Sequence, residues 1–193
     1  MSLRAVRVLE KADNRSFVEY FEFPVPPMLA DVVRCVWLLS GSASATPDPQ
    51  PVVPDGCAEI VLNLADPFRR FRDDVAWETQ PRSMVVGQIT EAVVIAPSGG
   101  VDLVGIRLQP WGASSVLPVP ATELRDVLLP LDTLAADMAR DLPDELREGS
   151  TPAARAGYYD QAHLTHEFRR FAACTPSEFL GRDRSLTDLF LAE

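Results

Sequence analysis

Histidine, cysteine and paired carboxylates supply most catalytic and metal-binding chemistry, and this 193-residue chain uses the first two sparingly. Its histidines are His163 and His166 alone. A zinc-type centre needs three or four N, S or O ligands, and no residues near these two supply the rest, so no metal is expected. Cysteine occurs at 35, 57 and 174, an odd count without a C-x-x-C pair. That usage suits buried, inert thiols in a reducing compartment. The nucleophile elbow, the P-loop and the GxGxxG turn are missing. No catalytic residue and no cofactor are therefore expected, and the chain does not read as an enzyme. One charged constellation remains. Asp55 and Glu59 flank Cys57 just after a PDG turn, and Arg107 lies in an apolar run. A carboxylate–guanidinium contact among the three is expected, structural or ligand-directed alike.

Those side chains need a scaffold, and the first 110 residues read as strands. RAVRVLE (4–10), FVEYFEF (17–23), VVRCVWLL (32–39), AEIVLNL (58–64), MVVGQ (84–88), AVVIA (92–96) and DLVGIRL (102–108) are short and rich in Val, Ile and aromatics. Turn formers divide them at 24–27, 41–51, 54–56 and 97–100. Seven such runs without helical patterns between them predict an antiparallel sandwich or barrel. Tyr20, Phe21, Phe23, Trp37, Trp77 and Trp111 fall in or beside these runs, where core packing is their simplest use. From Pro110 to Leu142 the spacing becomes helical, clearest at Leu131, Leu134, Ala135, Met138, Ala139 and Leu142. Prolines 118, 120, 130 and 143 break it into short pieces. The chain thus divides into a β-rich domain with trailing helices (1–142), a linker or deletion junction (143–156) and a C-terminal segment (157–193). The class is α+β.

The C-terminal segment is specified by its capping chemistry. Asp160 is a good N-cap for a helix starting at Gln161. On that helix Leu164, Phe168, Phe171 and Ala172 form one apolar stripe. Ala162, His163, His166, Arg169 and Arg170 face away from it. In CTPSEF (174–179) Thr175 caps a second helix, Pro176 takes N1, and Glu178 closes a capping box. Two helices meeting at a tight corner follow.

GYYDQAHLTHEFRRFAACTPSEFL (157–180) resembles the second helix-turn-helix of AraC/XylS-type transcription regulators. VVPDGCAEIVLNL (52–64), VVGQITEAVVI (85–95) and LVGIRLQPWGASSVLPVPATEL (103–124) resemble the β-rich, cupin-like N-terminal domain of one branch of that family. The resemblance implies a recognition helix in the major groove, with Gln161, His163 and His166 at base-reading positions and Arg169 and Arg170 on phosphates. It also implies that a small-molecule effector binds the β domain, with Trp37, Asp55, Glu59, Arg107 and Trp111 as ligand-binding candidates. A cytoplasmic protein is then expected, with DNA, a small-molecule effector and a second copy in a homodimer as its partners. No membrane is involved, because the chain has no leader-like apolar stretch and no apolar run of about 18 residues.

Two features depart from that family pattern. Between Leu142 and Gly157 stands only PDELREGSTPAARA, so the first helix-turn-helix unit and the connecting helix have no counterpart. The charge is also acidic, 18 basic against 28 acidic residues for a formal −10, whereas a bulk nucleic-acid binder is basic. Residues 151–193 carry five basic and six acidic side chains, so most of the excess lies in the β-rich part. A stand-alone sensing or dimerisation module without DNA binding is the competing reading.

Overall fold

Most strands form where β-branched and aromatic residues alternate or run together, and eleven are seen among the described residues. The computed structural model describes residues 9–10, 17–41, 49–72 and 76–148. In chain order the strands are β1 (Leu9–Glu10), β2 (Phe17–Phe23), β3 (Val33–Gly41), β4 (Gln50–Val52), β5 (Glu59–Asn63), β6 (Arg69–Arg72), β7 (Ala76–Thr79), β8 (Ser83–Val86), β9 (Val93–Ala96), β10 (Val101–Leu108) and β11 (Leu128–Pro130). The helices are α1 (Ala113–Val116) and α2 (Ala136–Glu148). Short 3-10 turns lie at Pro27–Leu29, Ala121–Leu124 and Leu131–Thr133. Every described strand pair is antiparallel.

Two sheets result. The larger has the order β1-β2-β3-β10-β5-β8-β11, and the smaller β4-β9-β6-β7. Successive side chains of the central strands point to opposite faces, and both faces are covered. Val36, Leu38, Ile60, Leu62, Val85, Val104 and Ile106 pack on one side with Leu117, Leu124, Leu131, Met138, Leu142 and Leu146 of the helical segments. Cys35, Trp37, Val61, Met84 and Leu103 pack on the other with Phe68 and Ile95, which belong to the small sheet and its approach. A strand buried on both faces reads as a continuous apolar run, and β3 does so. Among the described residues no helix is long and apolar enough to cross a membrane.

The sequence reading needs correction at three places. The spacing over 110–142 predicts short helical pieces broken by prolines, yet Leu128–Pro130 form a strand, β11, paired with Val86–Met84 at the edge of the large sheet. Residues 143–148, expected as linker, are the last turns of α2, which carries Pro143 inside it. Strands β4, β6 and β7 lie in segments expected as turn or left unassigned. The expected helix-turn-helix, with Gln161, His163, His166, Arg169 and Arg170, lies outside the described residues, as does most of the first expected strand.

Candidate functional site

Arg107, Glu59 and Cys35 share one cross-strand row, because β10 pairs Arg107 with Glu59 of β5 on one side and with Cys35 of β3 on the other. The Arg107 Nε lies 2.5 Å from Glu59 Oε1 and 3.3 Å from Asp55 Oδ2. Asp55 arrives there through its own turn. Its Oδ1 accepts the Cys57 backbone N–H at 2.9 Å, and Gly56 supplies the left-handed φ of 74° that closes the loop. That leaves Oδ2 for the guanidinium. Gln88 anchors the same loop by donating to the Gly56 carbonyl at 2.8 Å and to the Pro110 carbonyl at 2.7 Å. Beside this row β3 carries a bulge that leaves Arg34 without a strand partner, and Arg34 Nη1 reaches Cys57 Sγ at 3.6 Å. Bulges beside sites commonly re-aim a side chain in this way.

Aromatic rings complete the cluster. Trp37 Nε1 donates to Glu59 Oε1 at 3.2 Å. Its indole closely approaches β10 at Gly105, where a Cβ would sit 1.9 Å from Trp37 Cε2. Tyr20 stands beside it, ring centroids 6.1 Å apart, and donates its hydroxyl to Glu22 Oε2 at 3.2 Å. Burial is the largest single influence on Arg107 and opposes its charge, but the charge and hydrogen bond of Glu59, with Tyr20 and Asp55 adding to them, together hold the guanidinium protonated beyond its ordinary range. Burial pushes the Tyr20 hydroxyl well above the ordinary phenol value, although Arg107 works against it. Burial also pushes the Cys35 thiol up to about 12, reinforced by the Glu22 charge. This is a half-buried charge cluster in which every named carboxylate has a donor. It can clamp the 53–57 loop onto the sheet.

The five predicted ligand-binding residues therefore separate. The structure brings Trp37, Asp55, Glu59 and Arg107 together, and it leaves Trp111 apart. Trp111 lies past the end of β10, 67% exposed, its indole N–H bonded to the Asp31 carbonyl at 2.8 Å. Of the other aromatics only Tyr20 joins Trp37. Phe21 and Phe23 stand on the helix-covered face, and Trp77 packs on Phe71 at 5.2 Å under Arg69.

A second feature was invisible in the sequence. A cleft of about 940 Å³ opens beside the small sheet, lined by Arg70, Glu78, Gln80, the loop 89–92 and the edge strand β11. Its rim is tied by Asp126, whose carboxylate accepts the Thr90 N–H at 2.6 Å and the Thr90 hydroxyl at 2.8 Å. Those two bonds hold the Asp126 carboxyl below its ordinary range. Asp126 adopts a left-handed φ of 57°, a conformation Asp tolerates better than most residues. A strained residue beside a cleft is where functional sites often lie.

A family model described as a domain of unknown function, DUF6597, matches residues 21–130, more than half of the chain. The chain belongs to the DUF6597 family. No curated protein matches it, and no solved structure does. The DUF6597 match runs from β2 to the last residue of β11, so it contains the whole cleft lining and the Arg107 cluster apart from Tyr20. The helix α2 lies beyond the DUF6597 match.

Proposed function

We propose that the chain is a DNA-binding transcription regulator of the AraC/XylS type, whose cupin-like β domain senses a small molecule. The observation that carries the sensor half is the cleft of about 940 Å³ in the β domain, a volume in the range of small-molecule sites. The DNA-binding half rests on the resemblance of residues 157–180. Gln161, His163 and His166 would read base edges there, and Arg169 and Arg170 would neutralise phosphates.

A stand-alone sensing module is the second reading, favoured by the single helix-turn-helix unit and the near-neutral charge of 151–193. Selection of random duplexes by the full chain at low salt, followed by gel shifts, separates the two. Enrichment of one motif, with binding lost in Gln161→Ala and His166→Ala, supports the regulator. Failure to enrich any sequence overturns it in favour of the module.

A further inference from the structure

The cleft holds polar groups that the described chain does not satisfy. Gln80 is about nine-tenths buried. Its backbone N–H goes to the Phe68 carbonyl, and its side-chain amide, unbonded among the described residues, is not one of the sealed unpaired atoms and so is open to the cleft. Arg70 makes no ion pair and no side-chain hydrogen bond among them; its Nε is buried without a partner, as are Arg69 Nε and Asn63 Oδ1, but of the three residues only Arg70 lines the cleft. Buried donors are nearly always paired in native folds, and an orphan calls for an explanation. Strand alternation puts Arg70 on the same side of the small sheet as Phe68, which packs into the inter-sheet core. Arg70 and Gln80 line one cleft.

The loop 89–92 adds an opposite charge. Glu91 lines the cleft, is exposed, and has no ion pair among the described residues. Arg70 and Glu91 thus face the same space without touching. The remaining acidic residues of the lining are already engaged: Asp126 with Thr90, Glu78 with another group. A simple anion would satisfy Arg70 and Gln80 but be repelled by Glu91. A simple amine would be repelled by the Arg70 guanidinium and leave it without a counter-charge. Only a ligand with both charges satisfies all three groups.

We propose that this cleft binds a small zwitterion of amino-acid type. Its carboxylate is taken by the Arg70 guanidinium and the Gln80 amide, its ammonium by Glu91, and its side chain lies along Ile89, Val93 and Leu128. Arg matches a planar carboxylate with two parallel donors, and its charge-assisted bonds are the strong ones. The proposal names the ligand class of the sensor reading above and rests on that reading for its effect at DNA, not for binding itself.

The test uses the full chain and the common L-amino acids, each at about 10 mM, in thermal-shift and saturation-transfer NMR measurements. At least one should raise the unfolding midpoint by about 3 °C when present at ten times its Kd. Its des-amino acid and its decarboxylated amine should each bind at least about tenfold more weakly. Arg70→Gln should weaken binding about ten- to hundredfold, whereas Arg69→Gln, the same charge change on the neighbouring residue stacked on Trp77, should leave it unchanged. Glu91→Gln, on an exposed loop where folding is not at stake, should abolish the preference over the des-amino acid.

Binding by none of the amino acids overturns the proposal. So does equal affinity for the des-amino acid, or wild-type affinity in both Arg70→Gln and Glu91→Gln. Ligand binding with the expected variant pattern, but no change in gel shift on a selected duplex, would keep the site and sink the regulator reading. A duplex-binding chain that ignores every amino acid would do the reverse.

Discussion

At the scale of single residues, the Trp37–Gly105 approach is the tightest constraint in the charge cluster. An alanine Cβ at 105 would lie 1.9 Å from Trp37 Cε2 and 2.2 Å from Cζ2, far inside contact distance. The indole would have to leave β10, lengthening or breaking its bond to Glu59. Gly105→Ala should therefore destabilise the protein by about 1–3 kcal/mol, as overpacking does, with a changed near-ultraviolet spectrum; an unaltered urea midpoint would show that the ring has room. The same row of residues fixes an alkaline limit. The folded chain keeps the Cys35 thiol neutral up to about 12, against an ordinary value of 9.0. Between those values the unfolded chain has lost a proton that the folded chain still holds, so stability is fully present below pH 9 and falls as pH rises towards 12. Tyr20, raised above its ordinary 10.0, acts in the same sense. Urea titrations across that window should show the decline, and Cys35→Ala should make it shallower; identical slopes would exclude the thiol. Asp55, Glu59 and Arg107 were legible in the sequence because a PDG turn and strand alternation suffice to place them. Arg70 and Gln80 were not, since their meaning lies in the absence of partners, which only folded coordinates reveal.

At the scale of elements, the legible strands were those with long apolar or alternating runs. FVEYFEF matches β2 residue for residue, and the runs at 32–39, 58–64 and 102–108 fall on β3, β5 and β10 within two residues. The illegible ones are short or dominated by charge. RRFR forms β6 only because β7 and β9 flank it, a tertiary cause that propensity does not contain. Pro143 misled in the other direction. A proline inside a helix removes one hydrogen bond and costs about 3 kcal/mol, so a break was the natural expectation there. The helix persists because Met138, Leu142 and Leu146 fall at i, i+4 and i+8 and are all buried against the large sheet. Two opposite effects follow from this balance. Pro143→Ala should raise stability by about 1–3 kcal/mol by restoring the lost bond. Leu146→Ala should lower it by about 2–5 kcal/mol through the cavity it leaves. Denaturant midpoints of the two variants check the pair, and a destabilised Pro143→Ala would mean that the proline ring itself packs against a neighbour.

At the scale of the whole molecule, charge is divided unevenly, and the division constrains how DNA could be held. The formal −10 sits mostly before residue 151, while the segment beyond carries five basic and six acidic side chains. Of those five, the resemblance assigns phosphate contacts to Arg169 and Arg170 alone. Each phosphate neutralised on duplex DNA contributes about −0.9 to the slope of log affinity against log salt. Two contacts therefore predict a slope of about −2, far shallower than that of a protein with a broad basic face. The acidic β domain adds a repulsion that salt also screens, flattening the dependence further. Titrating a selected duplex over a range of salt concentrations measures this directly. Arg169→Gln and Arg170→Gln should each reduce the slope by about one. A slope steeper than about −5 would place additional cations on the DNA. Residues 151–193 offer only three more, Arg155, Arg182 and Arg184, and all five together reach only about −4.5, so such a value would require a second copy of the chain on the same site, which an operator with paired half-sites would reveal.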